Sequence, residues 1–233
     1  MRKFFVSAFV LAAMLAFATS GYALEKSVSS FDSEELGDWN AGGGTCSVAY
    51  YNICTGWIWV WSGWADGSLV GTAFDNCCGA DGQLDASVFY YRTGAVPSYG
   101  FTGSVSVFAA DANDCPTGAA IASQSILPAT GWNFTLWADN VPARFIVQHA
   151  VQDDMALGTP VTIASDGPAA CGNCFPTTRT TNSYTWGVEG AELCPGSPLF
   201  DGNCFVEFMA AATLTCPVSV EDESWGSIKN LYR

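Results

Sequence analysis

The chain reads as an all-β protein: an antiparallel β-sandwich or jelly roll stapled by disulfides, closed by a short C-terminal amphipathic helix. Three observations carry that expectation. From Cys46 onward, short apolar runs alternate with clusters of Gly, Pro, Asn and Asp, the pattern of many short strands joined by turns. Several runs have period two, with Val105, Val107 and Ala109 on one face and Ser104, Ser106 and Phe108 on the other. Ten cysteines follow a secretory leader, an even number suited to disulfides outside the cytoplasm.

Residues 1–23 read as a signal peptide. Arg2 and Lys3 precede an apolar run from Phe4 to Ala18, and Gly21-Tyr22-Ala23 offers small residues at a cleavage site. The run is about 15 residues, short of the roughly 20 that a spanning helix needs. No later segment is long and apolar enough to suggest a membrane span. Residues 24–44 read as an acidic leader or linker, ending in Gly42-Gly43-Gly44. The sandwich is expected over 45–219, and a tail helix over 220–233.

Within the sandwich, strands are expected near 46–52, 56–62, 69–74, 86–92, 103–110, 132–138, 143–151, 160–165, 183–188 and 204–214. Turns fall at Asp66-Gly67, Asp81-Gly82, Asp166-Gly167-Pro168 and Asp201-Gly202. No internal run has the length and 3.6-residue period of a core helix.

The net charge is −14, with 22 acidic residues. All 22 acids follow residue 23, and Arg2 and Lys3 leave with the leader. Such a surface repels phosphate backbones, which excludes nucleic acid as a partner, and it is repelled by anionic lipid as well.

The cysteines are Cys46, Cys54, Cys77, Cys78, Cys115, Cys171, Cys174, Cys194, Cys204 and Cys216. Short loops favour Cys46 with Cys54, Cys171 with Cys174, and Cys194 with Cys204. Adjacent cysteines seldom pair with each other, so Cys77 and Cys78 are expected to reach Cys115 and Cys216, in either order. Cys171-Gly172-Asn173-Cys174 lacks the strand-to-helix setting of a redox centre. A zinc site would want a second close-spaced pair.

Trp57-Ile58-Trp59-Val60-Trp61 carries three indoles at alternate positions, with Trp64 just beyond. If Ile58 and Val60 face the core, Trp57, Trp59, Trp61 and Trp64 form an outward strip on which sugar rings could stack. If the indoles face inward, they are core. Asp81, Asp85, Asp111 and Asp114 supply hard oxygen ligands for a possible calcium ion, although no EF-hand pattern occurs and turns of acidic proteins carry Asp regardless. No other cofactor is expected.

Catalytic patterns are missing. The chain has one histidine, His149, and alternation puts it on the Phe145–Val147 face as a buried structural residue. There is no G-x-S-x-G elbow and no H-E-x-x-H. Paired carboxylates could cleave glycosides, but 22 acids make pairs by chance.

The last ten residues differ from what precedes them. Ser224 can cap a helix. Trp225, Ile228 and Leu231 or Tyr232 share a helical face, with Lys229 and Arg233 near its C-terminus. This ending, Ser224-Trp225-Gly226-Ser227-Ile228-Lys229-Asn230-Leu231-Tyr232-Arg233, resembles a W-x-x-I/V-K-x-L-Y/F-R type tail on uncharacterised secreted β-rich bacterial proteins. Trp59 to Trp64 and Leu193 to Pro198 are similar to segments of such proteins too. The resemblance implies a sorting or attachment role for Trp225, Ile228, Lys229, Leu231 and Tyr232, with export or attachment machinery as the partner.

Together these readings describe a secreted or cell-surface protein with no catalytic site. It would bind a glycan or another surface component through the Trp strip. An extracellular assembly protein with a sorting tail is the alternative, and a carboxylate-based glycoside-active enzyme the weakest of the three.

Overall fold

The computed structural model describes residues 25–30, 45–51, 57–62, 64, 67–79, 82–92, 103–151, 162–167, 181–186, 196–198, 200–201 and 204–217. Among these the secondary structure is strand alone. In chain order the strands are β1 (Glu25–Ser30), β2 (Thr45–Ala49), β3 (Trp57–Ser62), β4 (Ser68–Asp75), β5 (Gly82–Tyr91), β6 (Gly103–Ala110) and β7 (Pro116–Ile126). They continue as β8 (Gly131–Val141), β9 (Arg144–Val151), β10 (Ile163–Ser165), β11 (Ser183–Trp186), β12 (Phe200–Asp201), β13 (Cys204–Phe205) and β14 (Ala210–Thr215). The all-β antiparallel class is as the sequence predicts. No helix among the described residues is long and apolar enough to cross a membrane. The expected tail helix lies outside the described residues.

The larger sheet has seven strands, in the order β1-β3-β10-β5-β14-β2, with β8 also on β5. β8 runs along one edge of β5, from Gly82↔Val141 to Tyr91↔Gly131. β14 and then β10 occupy the other edge. The second sheet has the order β11-β4-β9-β6-β7, and β12 pairs with β13. The two main sheets share one core. Leu84, Phe89, Tyr91, Trp137 and Leu214 of the first pack in one cluster with Val70, Phe74, Val105, Phe145 and Val147 of the second. Alternation along each strand supplies those side chains.

Central strands are covered on their outer faces too. Ile58, Val60, Tyr90, Ala164 and Met209 form a second cluster on the larger sheet, and Ala73, Ile146 and Trp186 a third on the smaller one. This explains the unbroken apolar stretches Val88 to Tyr91 of β5 and Phe145 to Val147 of β9, which a one-sided sheet would not need. Gly71 allows the close approach of β4 and β9: a Cβ there would lie 2.4 Å from the Val147 carbonyl oxygen, so the position admits no side chain.

Two sequence expectations are corrected here. Residues 24–44 are not all linker, because β1 pairs with β3 along its full length, Glu25↔Ser62 to Ser30↔Trp57. Backbone hydrogen bonding, which needs no apolar pattern, recruits this polar stretch to the sheet. The pairing of Cys46 with Cys54 is also overturned. Cys46 is bonded to Cys77, and Cys78 to Cys216, so neither Cys77 nor Cys78 pairs with Cys115. Sheet topology outweighs loop length here. β2 lies on β14 with Cys46 opposite Leu214, which brings Cys46 beside Cys216 and puts both next to the turn after β4. Cys115 and Cys204 are also disulfide-bonded. Cys54, Cys171, Cys174 and Cys194 lie outside the described residues.

Candidate functional site

β3 carries the indoles that the sequence singles out. Trp61 and Trp64 are buried in the main core. The Trp61 Nε1–H donates to Ser165 Oγ at 2.8 Å, and the Trp64 Nε1–H to the Trp61 carbonyl at 2.9 Å. Trp59 is half-buried and packs against the same core. Gly167 sits over its ring, where a Cβ would lie 2.9 Å from Nε1. Ile58 and Val60 are buried on the opposite face. An outward strip on β3 is therefore corrected at Trp61 and Trp64: the strand is sandwiched on both sides, and the larger aromatics take the inter-sheet face. Nothing in the described structure bears on the Trp57 side chain.

Asp81 lies outside the described residues. Asp85 accepts from the Thr215 hydroxyl at 2.6 Å. Asp111 Oδ1 accepts the Asn113 and Cys115 backbone N–H groups at 2.7 and 2.9 Å, a turn-forming use of the side chain. Asp114 has φ of 56°, the left-handed region that Asp tolerates, and is held by Arg144. The guanidinium donates through Nε and Nη2 to the two Asp114 oxygens at 2.7 and 2.9 Å. It reaches Asp75 at 3.0 Å and Asn182 Oδ1 at 2.9 Å. The Tyr184 hydroxyl adds a third donor to Asp114, at 3.0 Å.

The network continues inward. Asn182 N–H and Ser183 Oγ–H donate to the buried Glu207 carboxylate at 2.9 and 2.7 Å. Burial and the Asp114 charge push the Tyr184 phenol up to about 12. The Arg144 guanidinium is held charged by Asp114 and Asp75 against the effect of its burial. These groups bind one another across β4, β9 and β11, and the two oxygens of Asp114 are occupied by donors.

His149 is 4% exposed, at the interface of the two sheets. Its Nδ1 pairs with the Tyr91 hydroxyl at 2.5 Å, and Phe89 lies 4.3 Å from its ring centre. Burial lowers its pKa to about 3 and raises that of Tyr91. The ring stays neutral inside the core, on the inward face that the alternation of β9 implies. Trp225, Ile228, Lys229, Leu231 and Tyr232 of the tail lie outside the described residues.

One surface stands apart. β7 is an edge of the smaller sheet and β8 an edge of the larger, and residues 127–130 join them. They lie on the same side of the sandwich, tied where Gln124 Nε2 donates to the Leu136 carbonyl at 2.6 Å. On β8, Thr135, Trp137 and Val141 turn inward, and the Trp137 Nε1–H donates to Ser87 Oγ at 2.8 Å. Alternation then sends Trp132, Phe134 and Leu136 outward. Leu127, Leu136 and Phe134 are 74%, 71% and 58% exposed; Ile121 of β7 is exposed too, but on the outer face of the smaller sheet, because Ala122 and Ile126 turn to the core. Trp132 is half-buried against Tyr51 and Tyr90, with ring centres 5.8 and 5.2 Å away. From Cys115 to Ala138 the sequence holds no charged residue. Asn133 fixes the connecting turn, accepting from Ala129 N–H and donating to the Ala129 and Gly131 carbonyls.

Sequence reasoning passed over this surface. Its signal was a charge-free stretch around Trp132-Asn133-Phe134-Thr135-Leu136-Trp137, where the apolar phase Trp132, Phe134 and Leu136 alternates with Asn133 and Thr135 and yet faces outward.

No family model matches the chain, and no curated protein matches it. Among solved structures it is similar to the cysteine protease and lectin-like domains of Cwp84, a surface layer associated protein of Clostridium difficile. The identity is 12% and the TM-score 0.48, over 75% of this chain and 36% of that one. The chain thus spans about a third of the length of the structure it matches.

Proposed function

We propose that this is an exported, non-catalytic extracellular assembly protein whose working surface is the β7–β8 side, and whose partner there is a second copy of the chain. Export rests on the leader and the disulfides. The observation that carries the assembly reading is the pair of exposed apolar side chains on the outer face of β8, Phe134 and Leu136, with exposed Leu127 in the connection that leads into that strand. Clustered exposed apolar residues mark contact surfaces, and two long edge strands invite pairing. Charge selects the partner. At a net charge of −14, most approaches of two copies set carboxylates against carboxylates. The charge-free 115–138 stretch is a side on which two copies meet without that repulsion.

Sedimentation velocity on residues 24–233 tests this. The protein is expected to shift from monomer to oligomer with concentration, more readily as salt screens the residual repulsion. Phe134→Ser/Leu136→Ser, which leaves Thr135 and Trp137 in place, is expected to weaken association at least tenfold, the equivalent of about 1.4 kcal/mol. A monomer at every concentration, or association untouched by the double variant, would remove the reading.

A second reading keeps the carbohydrate idea but moves it. Trp132 and Phe134 are alternate aromatics on one outward face, a spacing that stacked sugar rings could use. A glycan-array signal lost in Trp132→Ala, on protein that sediments as a monomer, would favour it.

A further inference from the structure

The two described disulfides are stacked against each other at one end of the sandwich. Cys46 Sγ lies 3.4 Å from Cys78 Sγ and 3.7 Å from Cys216 Sγ, so the sulfur of one disulfide rests alongside the other bond. The local chain builds this arrangement. Asn76 is buried, accepting the Cys78 N–H at 2.9 Å and donating to the Val141 carbonyl at 3.0 Å. The resulting turn presents Cys77 to solvent and turns Cys78 inward. The pairing of β2 with β14 supplies Cys46 and Cys216 from the other side.

We propose that these four cysteines form a thiol–disulfide exchange site, entered at Cys77 by an external thiol and delivering a free thiol at Cys216. In the first step an external thiolate attacks Cys77 Sγ. A mixed disulfide forms, the Cys46–Cys77 bond breaks, and its electron pair leaves on Cys46 as thiolate. In the second step the Cys46 thiolate attacks Cys78 Sγ. The Cys46–Cys78 bond forms, the Cys78–Cys216 bond breaks, and Cys216 leaves as thiolate and takes a proton from water. One external thiol is consumed into the mixed disulfide and one protein thiol appears, so electrons balance with no other oxidant.

Geometry decides the order of events. Cys77 is the exposed sulfur-bearing residue of the four, and the other three are half-buried. Cys46 Sγ starts at the roughly 3–3.5 Å separation of a near-attack pair, but beside the Cys78–Cys216 bond and not in line with it, so the second step requires the freed Cys46 side chain to rotate. Cys78 is the nearer target. The consequence is specific: the covalent tie at the C-terminal end of β14 opens, while β2 stays tied to the turn after β4.

Peptide mapping by mass spectrometry tests the proposal in two ways. A Cys77→Ser chain, folded oxidatively and quenched by acid and alkylation, is expected to contain Cys46 linked to Cys78 with Cys216 alkylated. Should that variant fail to fold, wild-type protein exposed briefly to limiting glutathione serves instead. It is expected to carry glutathione on Cys77 and the alkyl group on Cys216. An intact Cys78–Cys216 bond with the alkyl group on Cys46, in either experiment, would overturn the relay.

Discussion

Acidification from pH 6.5 to 3 is expected to destabilise the protein through His149 by roughly 4 kcal/mol, with a slope of about 1.4 kcal/mol per pH unit in the middle of that window. In the fold its pKa is lowered to about 3 by burial; unfolded, the ring titrates near 6.5. Between those values the unfolded chain binds a proton that the native chain refuses. Stability is therefore fully present above pH 6.5, falls as pH drops through this window, and stops falling through this group below about 3. The cause is local. The ring lies between Phe89 and the Tyr91 hydroxyl, in a layer shared by both sheets. A charge there has no counter-ion among the described side chains facing it. Other carboxylates titrate in the same range, so the measurement is a difference. Urea unfolding of wild type and His149→Gln at steps from pH 7 to 3 should show the wild type losing stability faster, and equal slopes would refute the assignment.

Removing the Cys78–Cys216 bond is the second large effect. It closes 138 residues of sequence, against 31 for Cys46–Cys77. In the chain-entropy account the longer loop stabilises more, by about 1 kcal/mol, within a total of roughly 2–5 kcal/mol. Cys78→Ser/Cys216→Ser is expected to lower Tm by on the order of 5–15 °C. Cys46→Ser/Cys77→Ser is expected to lower it by less. Calorimetry of the two double variants gives the order directly, and a larger loss from the shorter loop would show that native packing, not chain entropy, sets the value.

These two sites show how far the sequence carries. Strong period-two runs such as β6 and β9 were legible, and so was the inward direction of His149, because one face of each strand must be apolar. β7 was not. Its Gly118, Ala119, Ala120, Ser123 and Ser125 carry neither bulk nor alternation, and the strand exists because its backbone pairs with β6 from Gly103↔Ile126 to Ala110↔Pro116. β1 escaped for the same reason. The indoles of β3 illustrate a different limit. Alternation puts Trp59 and Trp61 together on one face and Ile58 and Val60 on the other, but the strand is covered on both faces. Which face meets the second sheet depends on β10 and β5, far away in sequence. Cysteine connectivity was legible in part: Cys78 reaches Cys216, one of the two orders expected, but Cys46 pairs with Cys77 and not Cys54, since nearness along the chain says nothing of the β2–β14 register. The exposed strip on β8 was hidden by its own apolar character, because alternation assigns the apolar phase Trp132, Phe134 and Leu136 to the core, whereas Thr135 and Trp137 take that face.

Hydrogen–deuterium exchange at low and high protein concentration tests the assembly reading most directly. With a second copy seated on β7 and β8, amides within 116–141 gain protection as concentration rises, the rest of the sandwich changes little, and Phe134→Ser/Leu136→Ser abolishes the gain. Exchange in 116–141 that is independent of concentration, or protection that appears on another face, would contradict it.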